Sequence, residues 1–382
     1  MILLSIPIAL YIILYAVVIL LMAKSDPSSK DPLFSGRVIE DSYQKPLHNA
    51  FGHATTAMEV TKGLDLKGKI IVMTGGHTGT GREAAKAFID AGATVIALAP
   101  DLEWARKNLK GLPNVEIEYL DLLKPETIEA FTNKFLKTGR PIDVLVNSAG
   151  IHNTPLQLDS RGYERQFATN VLGHFELTLK LLPALKRVNG ARIVNLSSRG
   201  HRTGGVQFDD INFQHTKYDG MRAYAQSKTA LSLLSVKEDE LFREYNIRAF
   251  AVHPGPIPTS DLFAGSMAGY APGYKVGLMK FLASNLRTFW GTELLNFVRK
   301  PKNVGDIYKT VEQGGATTAW AAVSPDLKGR GGLYLEDCNI ATVVPNDSKA
   351  PFGVRQWAID KNLADRLWDK CEQMTGVHSE EK

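Results

Sequence analysis

The sequence predicts an α/β fold: a doubly wound parallel sheet in a single domain, preceded by one transmembrane helix. Three observations carry this expectation. From Lys69 onward, short apolar runs alternate with longer helical patterns, the rhythm of strands joined by crossover helices. The first run ends in a glycine-rich turn, Thr74-Gly75-Gly76-His77-Thr78-Gly79-Thr80-Gly81, and the chain opens on an uncharged apolar stretch, residues 2–23. Nothing repeats or shifts composition along the 382 residues, so one domain suffices.

The opening stretch has about 22 residues, and at about 1.5 Å each they cross a hydrocarbon core of about 30 Å. A cleaved secretory signal fits less well. No basic n-region precedes the stretch, and Leu21-Met22-Ala23 lacks a small-x-small cleavage pattern. Residues 1–24 therefore read as a retained anchor. Lys24, Lys30 and Arg37 follow it, and basic flanks stay on the cytoplasmic side, so the body is expected there, on the endoplasmic reticulum. Residues 25–46, rich in Ser, Asp, Lys and Pro without apolar periodicity, read as a linker.

The body spans residues 47–345. Runs at 70–73, 94–98, 115–119, 142–147, 192–197, 247–253 and 332–335 read as strands. Parallel sheets are buried on both faces and bind ligands at the carboxyl ends of their strands. Polar and glycine motifs fall at those ends: the glycine-rich turn after the first strand, Asp121-Leu122 after the third, Asn147-Ser148-Ala149-Gly150 after the fourth, Ser197-Ser198 after the fifth and Pro254-Gly255 after the sixth. A glycine turn between strand and helix lets backbone N–H groups approach a pyrophosphate, whose charge the helix N-terminus favours. Tyr224 and Lys228 lie four residues apart, on one helical face, and place a phenol beside a cation. That is what a carbonyl accepting hydride needs, a proton donor within reach of its oxygen.

Beyond these motifs, residues 261–303 carry Gly265, Gly269, Gly273 and Gly277 ahead of Met279, Phe281, Leu282, Leu286, Phe289 and Trp290. The segment reads as a substrate lid; a packing helix, or a surface helix dipping into the bilayer interface, stays open. Residues 346–382 place Ile359, Leu363 and Leu367 four apart, a C-terminal helix docked on the core and followed by a polar tail. Two cysteines, Cys338 and Cys371, give no disulfide framework, which fits a reducing compartment. The net charge of +5 is small, and neither a basic stripe nor a zinc-like spacing argues for nucleic acid or a metal.

With its motifs gathered on one edge, the chain resembles the short-chain dehydrogenase/reductase family from about Lys67 to at least Glu336. Thr74-Gly75-x-x-x-Gly79-x-Gly81, Asn147-Ser148-Ala149-Gly150, Tyr224-x-x-x-Lys228 and Pro254-Gly255 match its order and spacing, and the flanking text is most similar to the retinol dehydrogenase and WW-domain oxidoreductase branch. The resemblance implies a Rossmann fold and a nicotinamide-dependent oxidoreductase. It makes Tyr224 the proton donor and acceptor, with Lys228 and the positive nicotinamide of the oxidised complex lowering its pKa, and Lys228 also binding the nicotinamide ribose. Ser198 would hydrogen-bond the substrate oxygen, and Asn170 would hold a water in the proton relay. The backbone from Gly75 through Thr78, Gly79, Thr80 and Gly81 would hold pyrophosphate and adenosine ribose, with His77 on the adenosine side. Asp121 and Leu122 would bind adenine, Asn147, Ala149 and Gly150 would line the ribose and nicotinamide, and Pro254, Gly255, Ile257 and Thr259 would fix the nicotinamide ring.

The chain departs from its branch at three positions. Pro100 stands where an arginine usually clamps the phosphate of NADP, and Asp101 follows it; His77, Arg106 and Lys107 remain as substitutes, so NADP(H) is expected over NAD(H). Thr80 replaces an apolar residue, and Ser148 replaces an asparagine. Neither removes a charge or a catalytic hydroxyl. His201 is a second tempting acid/base residue, read as a loop residue near the pocket. The expected substrate is a lipophilic alcohol, aldehyde or ketone of retinoid, sterol, fatty aldehyde or polyketide type, with the membrane as a further partner and a homodimer left open. The alternative is a nucleotide-binding scaffold that recruits protein partners and turns over little.

Overall fold

The computed structural model describes residues 43–258 and 306–379, together with 292, 293, 296, 297 and 301. The expected anchor, most of the linker, Thr259 and the lid apart from those few positions lie outside the described residues. Among the described residues no helix is long and apolar enough to cross a membrane.

Eight strands form one sheet in the order β3-β2-β1-β4-β5-β6-β7-β8. They are β1 Ile70–Thr74, β2 Thr94–Ala99, β3 Val115–Tyr119, β4 Val144–Asn147, β5 Arg192–Leu196, β6 Arg248–His253, β7 Leu333–Glu336 and β8 Asn339–Ile340. β1 to β7 are parallel, and β8 returns antiparallel to β7. Ile71, Val72, Met73, Leu145 and Val146 are fully buried, as central strands covered on both faces must be. The sheet order reverses between β1 and β4, which opens a crevice at the carboxyl edge.

Helices Ala57–Thr61, Gly79–Asp90 and Ala316–Val323 cover one face, with Phe88 and Trp320 in their core. The other face carries helices Pro125–Lys137, Gly173–Leu185, Gly220–Phe242 and Lys361–Thr375. The last of these is the expected C-terminal helix. Asp360 caps it by accepting from Leu363 N at 2.9 Å, and Trp368 packs edge-on against Phe175 at 4.9 Å between ring centres.

The end of the expected linker needs correction. Gln44 is buried: its amide donates to the carbonyls of Tyr334 and Ala341, both at 3.1 Å, and its oxygen accepts from Tyr334 N at 2.7 Å. Gln44 thus docks on β7 as part of the domain, satisfying both backbone groups of Tyr334.

Candidate active site

Helix Gly220–Phe242 carries both Tyr224 and Lys228, and Asp219 caps it by accepting from Met221 N at 2.8 Å and Arg222 N at 2.9 Å. Four residues is just over one turn, so the two side chains share a face, and both are buried, at 5% and 4% exposure. Ser198 follows β5, and its hydroxyl, which accepts from Gly200 N at 3.1 Å, lies close enough to the Tyr224 phenol to lower its pKa. Ser197, its neighbour, points inward instead, with its hydroxyl on Lys228 O at 2.7 Å and Ser232 Oγ at 2.9 Å. Gly200 closes over the phenol, and a Cβ there would stand 3.0 Å from Tyr224 Cε1. Lys228 Nζ donates to Leu196 O at 2.6 Å and lies 5.6 Å from the Tyr224 ring centre.

Without nucleotide, burial sets the electrostatics of the pair. It pushes the Tyr224 phenol up to about 12, with the nearby Ser198 hydroxyl pulling the other way. Burial also pushes the Lys228 ammonium down to about 7. Desolvation thus disfavours both charged forms, and on its own the protein does not hold a phenol tuned near neutrality.

Asn170 is brought to the same place by a π turn, Ala168–Leu172, set ahead of helix Gly173–Leu185. Its amide nitrogen donates to Ile151 O and Ser227 Oγ, both at 3.0 Å, and its oxygen accepts from Ile151 N at 2.9 Å. Three of its four hydrogen bonds therefore go to protein, leaving one lone pair on Oδ1 for a water. A Cβ on Gly150 would stand 3.2 Å from that Oδ1 and 3.5 Å from Lys228 Nζ, so both groups line the space beside this glycine.

On the nucleotide side, Gly75 has φ +69, and a Cβ there would meet Ala149 N at 2.9 Å. Gly81 is needed for packing: its Cβ would stand 2.4 Å from Gly75 O. Gly79, at φ +52, has nothing within 4 Å of its missing Cβ. It opens helix Gly79–Asp90, where Thr78 gives no side-chain cap, and the first-turn N–H groups of a helix have no partner within it. His77 Nδ1 is buried without a hydrogen-bond partner among the described residues. An open helix N-terminus beside an orphaned imidazole nitrogen fits a pyrophosphate and a ribose hydroxyl. Burial lowers the His77 pKa, opposed by Asp101, and Trp104 packs edge-on to the ring at 5.3 Å.

The remaining expected cofactor residues are placed unevenly. Asn147 sits at the end of β4, but its side chain turns into the core, donating to Thr178 Oγ1 at 3.0 Å and Asn195 Oδ1 at 2.8 Å. Its Oδ1 is buried without a hydrogen-bond partner among the described residues. Asp121 Oδ1 accepts from Leu123 N at 3.1 Å, and Leu122 is buried under Gly173. Gly255, at φ +97, lies against Lys309, whose Cδ would be 2.5 Å from a Cβ. Pro254 is half-buried beside it. Thr80 and Ile257 meet over Gly314, so the threonine methyl does the packing expected of an apolar residue.

Comparison with known proteins fits this geometry. The family model described as short chain dehydrogenase matches residues 69–266. The chain belongs to the short-chain dehydrogenase family. Short-chain dehydrogenase TIC 32 B, chloroplastic, from Brassica napus is 37% identical over 337 residues, covering 84% of this chain and 93% of the relative. Retinol dehydrogenase 13 from Mus musculus is 30% identical, covering 82% of this chain and 85% of the relative. An uncharacterised protein from Mycobacterium paratuberculosis shares the fold with a TM-score of 0.61 at 26% identity, covering 85% of this chain and 99% of that structure. This short-chain dehydrogenase is therefore an oxidoreductase, and NAD(P) is the cofactor of its family.

Three histidines of this short-chain dehydrogenase need placing. His201 is fully buried and held near a pKa of about 3, chiefly by desolvation. Its Nδ1 donates to Ser198 O at 2.7 Å and its Nε2 accepts from Arg355 N at 3.2 Å, so it positions the serine and leaves no nitrogen for substrate. His174 and His152 were not among the expected residues. Thr74 Oγ1 accepts from Ser148 N and Ala149 N, both at 3.0 Å, so its own proton goes to His174 Nε2 at 2.9 Å, and His174 Nδ1 donates to Asn170 O at 2.9 Å. One neutral imidazole, with its pKa down to about 4 by burial, thus joins β1, the end of β4 and the π turn. His152 packs edge-on to Tyr224 at 4.4 Å between ring centres. No motif marks either histidine; His174 sits four residues after Asn170, a spacing that could have raised it.

Proposed function

We propose that this short-chain dehydrogenase is a membrane-anchored, NADP(H)-dependent oxidoreductase that interconverts a lipophilic alcohol and its aldehyde or ketone. The observation that carries the reading is the convergence of Tyr224, Ser198 and Lys228 beside the open N-terminus of helix Gly79–Asp90. Tyr224 and Ser198 offer two hydroxyl donors to one substrate oxygen; Tyr224 gives it a proton in reduction and takes one back in oxidation. Lys228 stabilises the phenolate that forms, and Asn170, with one lone pair on Oδ1 left over from its bonds to Ile151 and Ser227, holds a water in the proton relay. The turn at His77, Thr78, Gly79 and Thr80 holds the dinucleotide, and the bound nicotinamide supplies or accepts the hydride.

The preference for NADP(H) is supported by the exposed Arg106 and Lys107 on the helix after β2; Asp101, whose charge opposes it, is engaged as the cap of that helix, accepting from Trp104 N at 2.9 Å. The lipophilic substrate class is supported by the apolar sequence of the lid and by a mouse relative that is a retinol dehydrogenase. The anchor, and a cytoplasmic catalytic domain on the endoplasmic reticulum, rest on residues 1–24 and the basic residues after them. The scaffold alternative loses the support of Thr80, whose methyl is well packed against Ile257 and Gly314.

The test is Tyr224→Phe, which keeps the ring and removes the phenol. Single-turnover reduction should fall at least about a hundredfold while NADPH binding survives. Near-normal turnover refutes the assignment.

A further inference from the structure

His152 stands beside the proton donor, yet the reaction gives it no task. Its ring lies 4.4 Å from that of Tyr224 with the planes at 80°. Neither ring nitrogen has a hydrogen-bond partner among the described residues; Nδ1 is closed off from solvent and Nε2 is not. Burial and the nearby Lys228 hold its pKa down to about 4, so near neutrality the ring is uncharged and can either donate or accept.

The backbone around it is clamped. Asn170 grips both Ile151 N and Ile151 O, Asn153 N donates to Gln166 Oε1 at 2.7 Å, and the Tyr218 hydroxyl donates to Thr154 O at 2.8 Å. Gln166 in turn donates to Gly220 O at 2.9 Å, at the start of the helix that carries Tyr224. The imidazole is thereby fixed relative to the phenol on both sides of its own residue. A pre-positioned polar group without a protein partner, next to a reacting centre, discriminates strongly, because a substrate that cannot pair with it leaves it unsatisfied.

We propose that His152 reads the substrate. Its Nε2 hydrogen-bonds a hydroxyl or oxo group carried one or two carbons from the reacting carbon, so the favoured substrates are lipophilic ketones, aldehydes or alcohols with a second oxygen close to the first. The two ring centres are only 4.4 Å apart, so a substrate that reaches the phenol with one oxygen and the imidazole with another must carry the two oxygens close together. This inference rests on the carbonyl reaction proposed above.

The experiment compares acetophenone with α-hydroxyacetophenone, using the full-length chain and each reduced cofactor. The readout is the ratio of the two kcat/KM values, so any loss of activity common to both ketones cancels. The ratio should favour the hydroxy ketone in the unmodified protein, fall about tenfold in His152→Phe, and be largely kept in His152→Gln, which retains a hydrogen-bonding group. If His152→Phe is too slow to measure, His152→Met against His152→Gln decides in the same way. A ratio that is the same in the unmodified protein and the variants overturns the role of His152 alone. Turnover of neither ketone by the unmodified protein overturns the carbonyl reading and this inference with it.

Discussion

Lys228→Met should make the nucleotide-free protein more stable while abolishing turnover. The ammonium is 4% exposed and has one hydrogen-bond acceptor among the described residues, Leu196 O at 2.6 Å. Desolvation lowers its pKa from 10.5 to about 7. Between those values the unfolded chain carries a proton that the folded chain lacks, so unfolding takes up a proton and stability rises with pH, by about 1.4 kcal/mol per unit. Below the folded value both states are charged, and the whole cost of burying the ammonium is present. Taken at face value that cost is about 4 to 5 kcal/mol, an upper bound because the folded site can relax and admit water. Methionine has a similar unbranched stem and no charge, so the variant should exceed the unmodified protein by about 2 to 4 kcal/mol at about pH 6.5, and the gap should close by about pH 10. Urea unfolding of both proteins without nucleotide, at several pH values across that window, measures it. Parallel stability curves would show that Lys228 is not titrating in the folded state and would refute the argument.

Two further outcomes follow from other parts of the chain. Pro100→Arg should tighten NADPH relative to NADH by about 1 to 3 kcal/mol, the scale of a charge-assisted hydrogen bond; equal changes in the two dissociation constants would show that this position does not face the ribose phosphate. Removing residues 1–24 should leave the domain soluble after cell lysis, whereas the full-length chain should resist extraction from membranes by alkaline carbonate; release of both alike would rule out a spanning segment.

The strands were legible because central parallel strands are buried on both faces and read as continuous apolar runs; β1, β2 and β5 fall within one residue of their expected bounds. β8 was not legible. It is two residues long, and the reversal before it puts Asp337 at φ 51 and Cys338 at φ 55, conformations that a sequence usually announces with glycine or asparagine. The docking of Gln44 was hidden for a different reason: its partners in β7 lie 290 residues away, and a single buried amide leaves no periodic trace. Asn170 was legible as a residue of interest, but the π turn that aims it adds one residue to a helical turn without changing the apolar pattern. The orientation of Asn147 was not legible, because position at a strand end does not say which face the side chain takes, and pleating turns this one into the core.

The same division separates chemistry from support around Ser198. The serine itself lies in a motif, but its carbonyl is held by His201, whose other nitrogen takes a hydrogen from Arg355 N. Trp357 Nε1 donates to His201 O at 2.9 Å, and Arg355, 1% exposed, donates to Ser348 O at 2.6 Å and Ala350 O at 3.1 Å. A strap from 348 to 357 thus sets the rotation of the loop that presents the serine hydroxyl to Tyr224. With its pKa near about 3, His201 stays neutral through the physiological range, so this joint does not open with pH. The groups proposed to touch the substrate lie in short motifs, since each needs a particular functional group at a particular spacing. The groups that hold them still need only satisfy a nearby carbonyl or N–H, a requirement many residues meet, and their identity emerges only once the chain has folded.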